Sequence, residues 1–189
     1  MHVRLAISDD AAAVAAIYRP IVETTTISFE EVAPDEAEMR ARIDRTLQTY
    51  PWLVAEESGG VLGYAYASRW RERAAYRWSV ETTAYVHERA RGRGVGSALY
   101  EALFRVLDAQ GFHRAYAGIT LPNDASVALH TAVGFLPAGV FHDAGCKFGR
   151  WCDVAWFERP LAAAEIVPPN ETIPLPRLPA RALHGALGG

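Results

Sequence analysis

The residues best placed to do chemistry form a short run, Arg91-Gly92-Arg93-Gly94-Val95-Gly96-Ser97-Ala98. It follows the apolar stretch ending in Tyr85-Val86-His87 and precedes Leu99, Leu103 and Leu107, which recur at helical spacing. Glycine takes positive φ and lets a ligand approach the backbone, while a helix N-terminus adds partial positive charge. A strand, a glycine turn and a helix start in that order can cradle a pyrophosphate. The run is not a phosphate loop, because no lysine follows Gly96. Nor is it a dinucleotide fingerprint, because Gly92, Gly94 and Gly96 alternate. By spacing alone, a tight turn with two solvated arginines explains the run equally well.

Other positions carry proton or anion chemistry. Glu81 stands alone in the run Trp78 to Val86, its parity opposite Val80, Thr82, Ala84 and Val86. Such a glutamate faces either solvent or a pocket, since Glu is seldom buried unpaired. His130 sits beside Leu129 and Val133, as either a packed structural histidine or a proton carrier working near neutrality. Arg71 and Arg73, in Trp70-Arg71-Glu72-Arg73, offer forks that match carboxylate or phosphinate. The alternative is a charged surface loop balanced by Glu72. Cys146 and Cys152 are too few for a disulfide framework and lack a histidine at zinc-like spacing, so no metal is expected.

These residues need elements to hold them. Val3 to Ile7 reads as a strand, and Ser8 as the cap of a helix that runs through Val14, Ile17 and Tyr18 until Pro20 disturbs it. A second helix starts at Pro34, with Met39, Ile43 and Leu47 on one face. Trp52 to Glu56 and Val61 to Ser68 form a hairpin across Ser58-Gly59-Gly60, and Trp78 to Val86 is a third long strand. Arg114 to Thr120 is a strand, and Pro122-Asn123-Asp124 opens a helix that stops at Gly134. Phe135 to Phe141 and Trp151 to Phe157 close the set around a glycine-containing loop. The result is an α/β mixture whose sheet has antiparallel and parallel parts. From Leu161 onward, five prolines (Pro168, Pro169, Pro174, Pro176, Pro179) and no apolar period predict a tail over 161–189, after a domain over 1–160.

The 189 residues suffice for one core and hardly for two. A net charge of -3 provides no general field for nucleic acid or anionic membrane, so anion recognition must be local. No apolar run approaches a membrane span, and Met1-His2-Val3-Arg4-Leu5 lacks a signal-peptide layout, which predicts a cytoplasmic protein.

Arg91-x-x-Gly94-x-Gly96 resembles the R/Q-x-x-G-x-G/A motif of the GNAT acetyltransferase superfamily, in its place between the fourth strand and the third helix. Asn123, Leu129-His130 and Gly134-Phe135 resemble its second signature segment. Likeness to the phosphinothricin N-acetyltransferases and their methionine sulfoximine-acetylating relatives is carried by the segments Tyr50 to Glu56, Val80 to Val86 and Leu121 to His130. Gly145-x-Lys147-x-Gly149-x-Trp151-x-Asp153-Val154 is the last such segment.

The resemblance implies a mixed sheet splayed between strands four and five, with acetyl-CoA in the splay. Backbone near Tyr85, Val86 and His87 would bond the pantetheine arm. Arg91 opens the motif, and the amides of Arg93, Gly94, Val95, Gly96, Ser97 and Ala98 would hold the pyrophosphate. Asn123 would contact the far side of the cosubstrate or cap its helix. Glu81 would act as general base on an acceptor amine. His130 stands where many members carry a tyrosine that protonates the departing thiolate, and would share the proton work. Arg71 and Arg73 would bind a small anionic amino-acid-like substrate, with Lys147 adding charge and Trp151 an aromatic wall. Cys146 and Cys152 depart from the Tyr and His usual in these relatives, whose pairing implies a homodimer.

The rivals are an acetyltransferase for another amine, such as an antibiotic, a polyamine or a protein N-terminus, and a non-catalytic acyl-CoA-binding regulatory module. A polyamine site needs acidic lining, against which Arg71 and Arg73 argue. A regulatory module needs neither Glu81 nor His130.

Overall fold

The computed structural model describes residues 1–165 and 167–188. The strands are β1 (His2–Leu5), β2 (Trp52–Glu57), β3 (Gly60–Arg69), β4 (Ser79–Val86), β5 (Arg114–Thr120), β6 (Leu136–Lys147) and β7 (Arg150–Pro160). The helices are α1 (Ala11–Thr24), α2 (Glu36–Leu47), α3 (Val95–Gln110), α4 (Asp124–Ala132) and α5 (Ala180–Leu187). One seven-stranded sheet runs in the order β1-β2-β3-β4-β5-β7-β6. All its pairings are antiparallel except β4 with β5.

Strand alternation divides the core between the two faces of this sheet. On one face Leu53, Ala65 and Val80 pack against Leu99, Leu103 and Leu107 of α3. On the other, Trp52, Val54 and Tyr64 pack against Val14, Ile17 and Ile21 of α1 and against Met39 and Ile43 of α2. Each such side chain contributes about 1.5–3 kcal/mol by leaving water, before the cost of ordering it. The β2–β3 hairpin closes on Ser58 and Gly59, at φ 52° and 79°, so two left-handed residues match the twist of its strands.

Local signals shift where tertiary contacts outweigh them. Ser8 does not cap α1. Its hydroxyl turns to Asp44 at 2.6 Å, while the buried Asp10 carboxylate takes the Ile7 amide at 2.8 Å and Arg4 at 2.7 and 2.9 Å. Pro20 does not end α1, which runs on to Thr24 because Ile21 and Val22 are buried in the core. Asp35 rather than Pro34 opens α2, accepting the Glu38 amide at 2.8 Å. β6 and β7 are longer than their apolar runs, and the loop between them shrinks to Phe148-Gly149.

The proline-rich C-terminal stretch, expected as a tail, ends in the helix α5 and docks on the domain. Leu175, Leu178 and Ala186 are buried with Val106 of α3. Gln110, wholly buried, donates from Nε2 to Thr49 O at 2.9 Å and to Ile173 O at 2.8 Å. Isolated leucines in a chain without periodicity give no sequence signal for such docking.

Candidate active site

The site begins where the sheet comes apart. β4 and β5 pair only at Ser79 with Arg114, Val80 with Ala115 and Glu81 with Tyr116. Beyond that point the Thr82 hydroxyl donates to Tyr116 O at 3.2 Å, and the strands separate. Strand alternation decides which backbone groups face the gap. The His87 amide donates to Leu62 O at 2.8 Å, so His87, Tyr85 and Thr83 direct their backbone groups toward β3. Thr82, Ala84 and Val86 direct theirs into the gap, leaving a free strand edge.

The far end of that edge meets the start of α3. Gly92 and Gly94 have φ of 73° and 79°, a left-handed backbone that turns the chain into the helix. The amides of Gly94, Val95, Gly96 and Ser97 precede the first intrahelical bond and have no partner within the helix. That first bond runs from Ala98 N to Gly94 O at 3.0 Å. A β-carbon on Gly96 would lie 2.8 Å from Leu129, so this glycine also lets α4 approach α3.

Two chambers open from the gap. One, of about 400 Å³, lies between the 90–97 turn and the first turns of α4. The other, of about 450 Å³, holds Glu81, Tyr100 and His130. Ile27, Ala84, Tyr85, Asn123 and Ser126 line both, so the chambers join through the split.

Glu81 is half-buried, and no side chain among the described residues hydrogen-bonds its carboxylate. Burial pushes its pKa above the ordinary carboxylate value, and the Arg71 charge only partly opposes this. His130, 6% exposed, reaches the gap from the opposite face of the sheet. Its Nδ1 lies 2.7 Å from Ser126 O, an acceptor only, so Nδ1 carries the proton. Nε2 then accepts from the Tyr100 hydroxyl at 2.8 Å. Burial holds the His130 pKa below its ordinary value, with the Ser126 carbonyl opposing, so the ring is neutral at physiological pH.

Residues 3–156 match the family model for the acetyltransferase (GNAT) domain. This chain belongs to the GNAT acetyltransferase family. It is 44% identical over 170 residues to a phosphinothricin N-acetyltransferase of Alcaligenes faecalis, spanning 89% of this chain and 86% of the relative. It is 40% identical over 151 residues to an L-methionine sulfoximine/L-methionine sulfone acetyltransferase of Pseudomonas aeruginosa, spanning 79% and 88%. A phosphinothricin acetyltransferase of Sinorhizobium meliloti, solved in complex with AcCoA, superposes at a TM-score of 0.86. It is 39% identical and covers 94% of this chain and 98% of its own.

The GNAT frame collects most of the predicted residues and displaces others. Glu81, His130, Arg91, Gly94, Val95, Gly96, Ser97 and Asn123 all line the joined chambers. Asn123 also caps α4, its Oδ1 accepting the Ser126 amide at 3.2 Å. The Ala98 amide, already bonded within α3, is no longer free, and the backbone edge belongs to Ala84 and Val86 rather than to Tyr85 and His87. The His87 ring turns back to take the Arg89 amide at 3.2 Å. Arg93 pairs with Glu57 at 2.6 Å on the surface.

Arg71, whose charge acts on Glu81, is exposed, with its guanidinium 4.9 Å from the Trp70 ring and 6.0 Å from that of Tyr76. Arg73, also exposed, opens the turn Ala74–Tyr76. Lys147 does not face the chamber. It is 4% exposed, and its Nζ donates to Val22 O and Ser28 O, both at 2.7 Å. A buried ammonium requires such partners, and these two carbonyls flank the end of α1 and the turn that follows it. Trp151 is 66% exposed beside Arg150 and Pro122, away from the joined chambers.

Sequence reasoning missed Tyr100, Ser126 and the segment Ile27-Ser28-Phe29. Tyr100 sits between Leu99 and Leu103 and reads as core. The 27–29 segment carries one signal, because a β-carbon on Gly145 would collide with the Phe29 ring. That glycine admits Phe29 to the chamber wall. Among the described residues, no helix is long and apolar enough to cross a membrane and no side-chain cluster suits a metal ion.

Proposed function

We propose that this chain transfers the acetyl group of acetyl-CoA to the amine of a small anionic amino acid, of the phosphinothricin, methionine sulfoximine or methionine sulfone type. The observation that carries this reading is the through-sheet passage. One chamber ends on unpaired backbone donors, the other holds a carboxylate without a partner, and the two meet at Ala84 and Tyr85. The names of the relatives support the acceptor class.

The 94–97 amides, at the positive end of α3, would hold the pyrophosphate, with Arg91 beside them. The edge groups of Ala84 and Val86 would pair with the pantetheine amides like an added strand. When bound, acetyl-CoA supplies an activated thioester carbonyl. Glu81 accepts the proton that an ammonium must lose before its nitrogen can attack. A raised pKa suits that task, because a base poised nearer neutrality takes the proton more readily. His130 and Tyr100 form the second proton carrier, on the side where the thiolate departs. Arg71, with Arg73 beside it, holds the acceptor's anionic group at the mouth. Lys147 positions the turn that follows α1 and touches no substrate.

A homodimer is supported by the exposed apolar side chains of the β6–β7 hairpin, among them Leu136, Phe141, Phe148 and Trp151. The free thiols of Cys146 and Cys152 fit a cytoplasmic setting. The test is a thiol-release assay with acetyl-CoA over a panel of anionic, neutral and cationic amines. Turnover concentrated on amino acids with an anionic group, and weakened by Arg71→Met through KM, is the expected result. Preference for a polyamine or a peptide N-terminus would refute the acceptor class.

A further inference from the structure

The loop that carries Arg71 meets the wall of the Glu81 chamber where the Trp70 ring stands edge-on to Trp156 at 4.8 Å, and it is braced from outside itself. The guanidinium of Arg71 rests on Trp70 and Tyr76, and Tyr76 closes the Ala74–Tyr76 turn. That turn is tied from behind, where Arg77 Nη1 donates to Ala74 O at 3.1 Å. The other edge of the same guanidinium is held by the C-terminal segment. Arg77 Nε meets Glu171 Oε2 at 3.1 Å, and Nη2 meets Oε1 at 2.8 Å, a two-pronged pairing. Next to it the Trp78 indole donates to Asn170 O at 2.7 Å, and Arg77 lies 3.6 Å over the Trp78 ring.

Residues 170 and 171 are themselves anchored. The Ile173 amide donates to Gln110 O and the Gln110 side chain returns the bond to Ile173 O, both at 2.8 Å. The Leu175 amide donates to Thr49 O at 3.1 Å, and Leu175 and Leu178 are buried beside α3. The path therefore runs from the rigid end of α3, through Ile173 and Glu171, to Arg77 and the turn that carries Tyr76 under Arg71. The family match ends at residue 156, before the segment Asn170 to Leu178 begins.

We infer that residues 170–178 form a strap that sets the acceptor loop, with Glu171 as a positioning residue acting on substrate through Arg77 and Arg71. The inference rests on the proposed role of Arg71 in holding the acceptor's anion. The strap touches neither chamber, so it tunes acceptor binding and leaves acetyl-CoA binding alone.

The test uses the full chain and four variants, Glu171→Gln, Trp78→Phe, Arg71→Met and the charge exchange Arg77→Glu with Glu171→Arg. Methionine sulfone and its uncharged amide serve as paired acceptors. An exposed ion pair is a weak tie, so Glu171→Gln should raise KM for methionine sulfone by about two- to fivefold. The values of kcat, acetyl-CoA affinity and KM for the amide should stay unchanged. Trp78→Phe should act in the same direction, and the charge exchange should recover part of the loss. If Arg71→Met raises KM and Glu171→Gln does not, the strap is overturned while the reading of Arg71 stands. If Arg71→Met itself leaves KM unchanged, the reading of Arg71 fails and the strap fails with it. Equal rises for sulfone and amide in Glu171→Gln would reduce the contact to general stability and overturn the inference.

Discussion

The Tyr100 hydroxyl donates to His130 Nε2 at 2.8 Å across the floor of the acceptor chamber, joining α3 to α4. Since Nδ1 is committed to Ser126 O at 2.7 Å, the tautomer is set and the free lone pair points at the phenol. A proton reaching this imidazole passes through or beside Tyr100.

Tyr100→Phe and His130→Ala should therefore slow turnover by similar factors, on the order of 10² for one lost proton carrier. The double variant should lose much less than the product, because both changes cut one path. Steady-state kcat for the two single variants and the double variant measures this. Multiplicative losses would confine Tyr100 to packing with Phe104 and Phe135, which its ring also contacts.

Glu81 separates catalysis from stability. Its folded pKa is raised by burial, so the folded state holds the proton more tightly than the unfolded chain. The stabilising contribution is thus full below the ordinary carboxylate pKa and is lost as pH rises through the raised value. Glu81→Gln, which keeps the shape without the charge, should melt higher than wild type at neutral pH and lose that advantage on acidification. Its kcat should fall by about 10²–10⁴, with partial recovery at high pH as the acceptor becomes neutral unaided. A thermal series with kcat against pH checks both parts. Unchanged kcat would transfer the base role to His130.

Glu81 and Tyr100 differ in how far their roles show in the sequence. The parity of Glu81 in β4 is a local property, and a lone carboxylate opposite Val80, Thr82, Ala84 and Val86 stands out in the sequence. So does the glycine run, because left-handed backbone at Gly92 and Gly94 restricts the residue type. Lys147 was legible as a charge and misleading as a position, for its carbonyl partners lie 125 and 119 residues away. The same holds for Tyr100, whose hydroxyl matters only through a ring 30 residues on. Leu175 and Leu178 dock from an aperiodic stretch, and only the finished surface of α3 makes a place for them. Pattern located the elements and the glycine turn before α3, and long-range polar pairing decided which charged side chains face the chambers.

Gly94 offers a test of the cradle. At φ 79° a β-branched residue is strained, although no atom lies within 4 Å of where its β-carbon would sit. Gly94→Val should therefore displace the 94–97 amides through the backbone rather than through a clash. Acetyl-CoA affinity by calorimetry should drop at least tenfold while acceptor KM changes little. Unchanged affinity in folded protein would remove the pyrophosphate assignment. Gly96→Ala should act differently, costing thermal stability by pressing α4 away at Leu129.

The buried Lys147 ammonium is held by two carbonyls that flank a loop. Val22 ends the buried face of α1, and Ser28 lines the acceptor chamber while its hydroxyl lies 2.6 Å from that of Tyr18. Lys147→Met keeps the length and apolar character of the stem and removes the donor. The Val22 and Ser28 carbonyls are then left without their partner, each at a cost on the order of 1–3 kcal/mol. Tm should fall by roughly 5 °C or more for a chain of this size. The loop carrying Ser28 and Phe29 loosens, so acceptor KM should rise, with acetyl-CoA affinity changed less. A direct ligand would behave otherwise, raising KM for anionic acceptors alone with Tm unchanged. Differential scanning calorimetry beside KM for an anionic and a neutral acceptor separates the two cases. Loss of Tm with a KM rise common to both acceptors places Lys147 in the scaffold. A KM rise confined to the anionic acceptor, at constant Tm, would return it to the binding site.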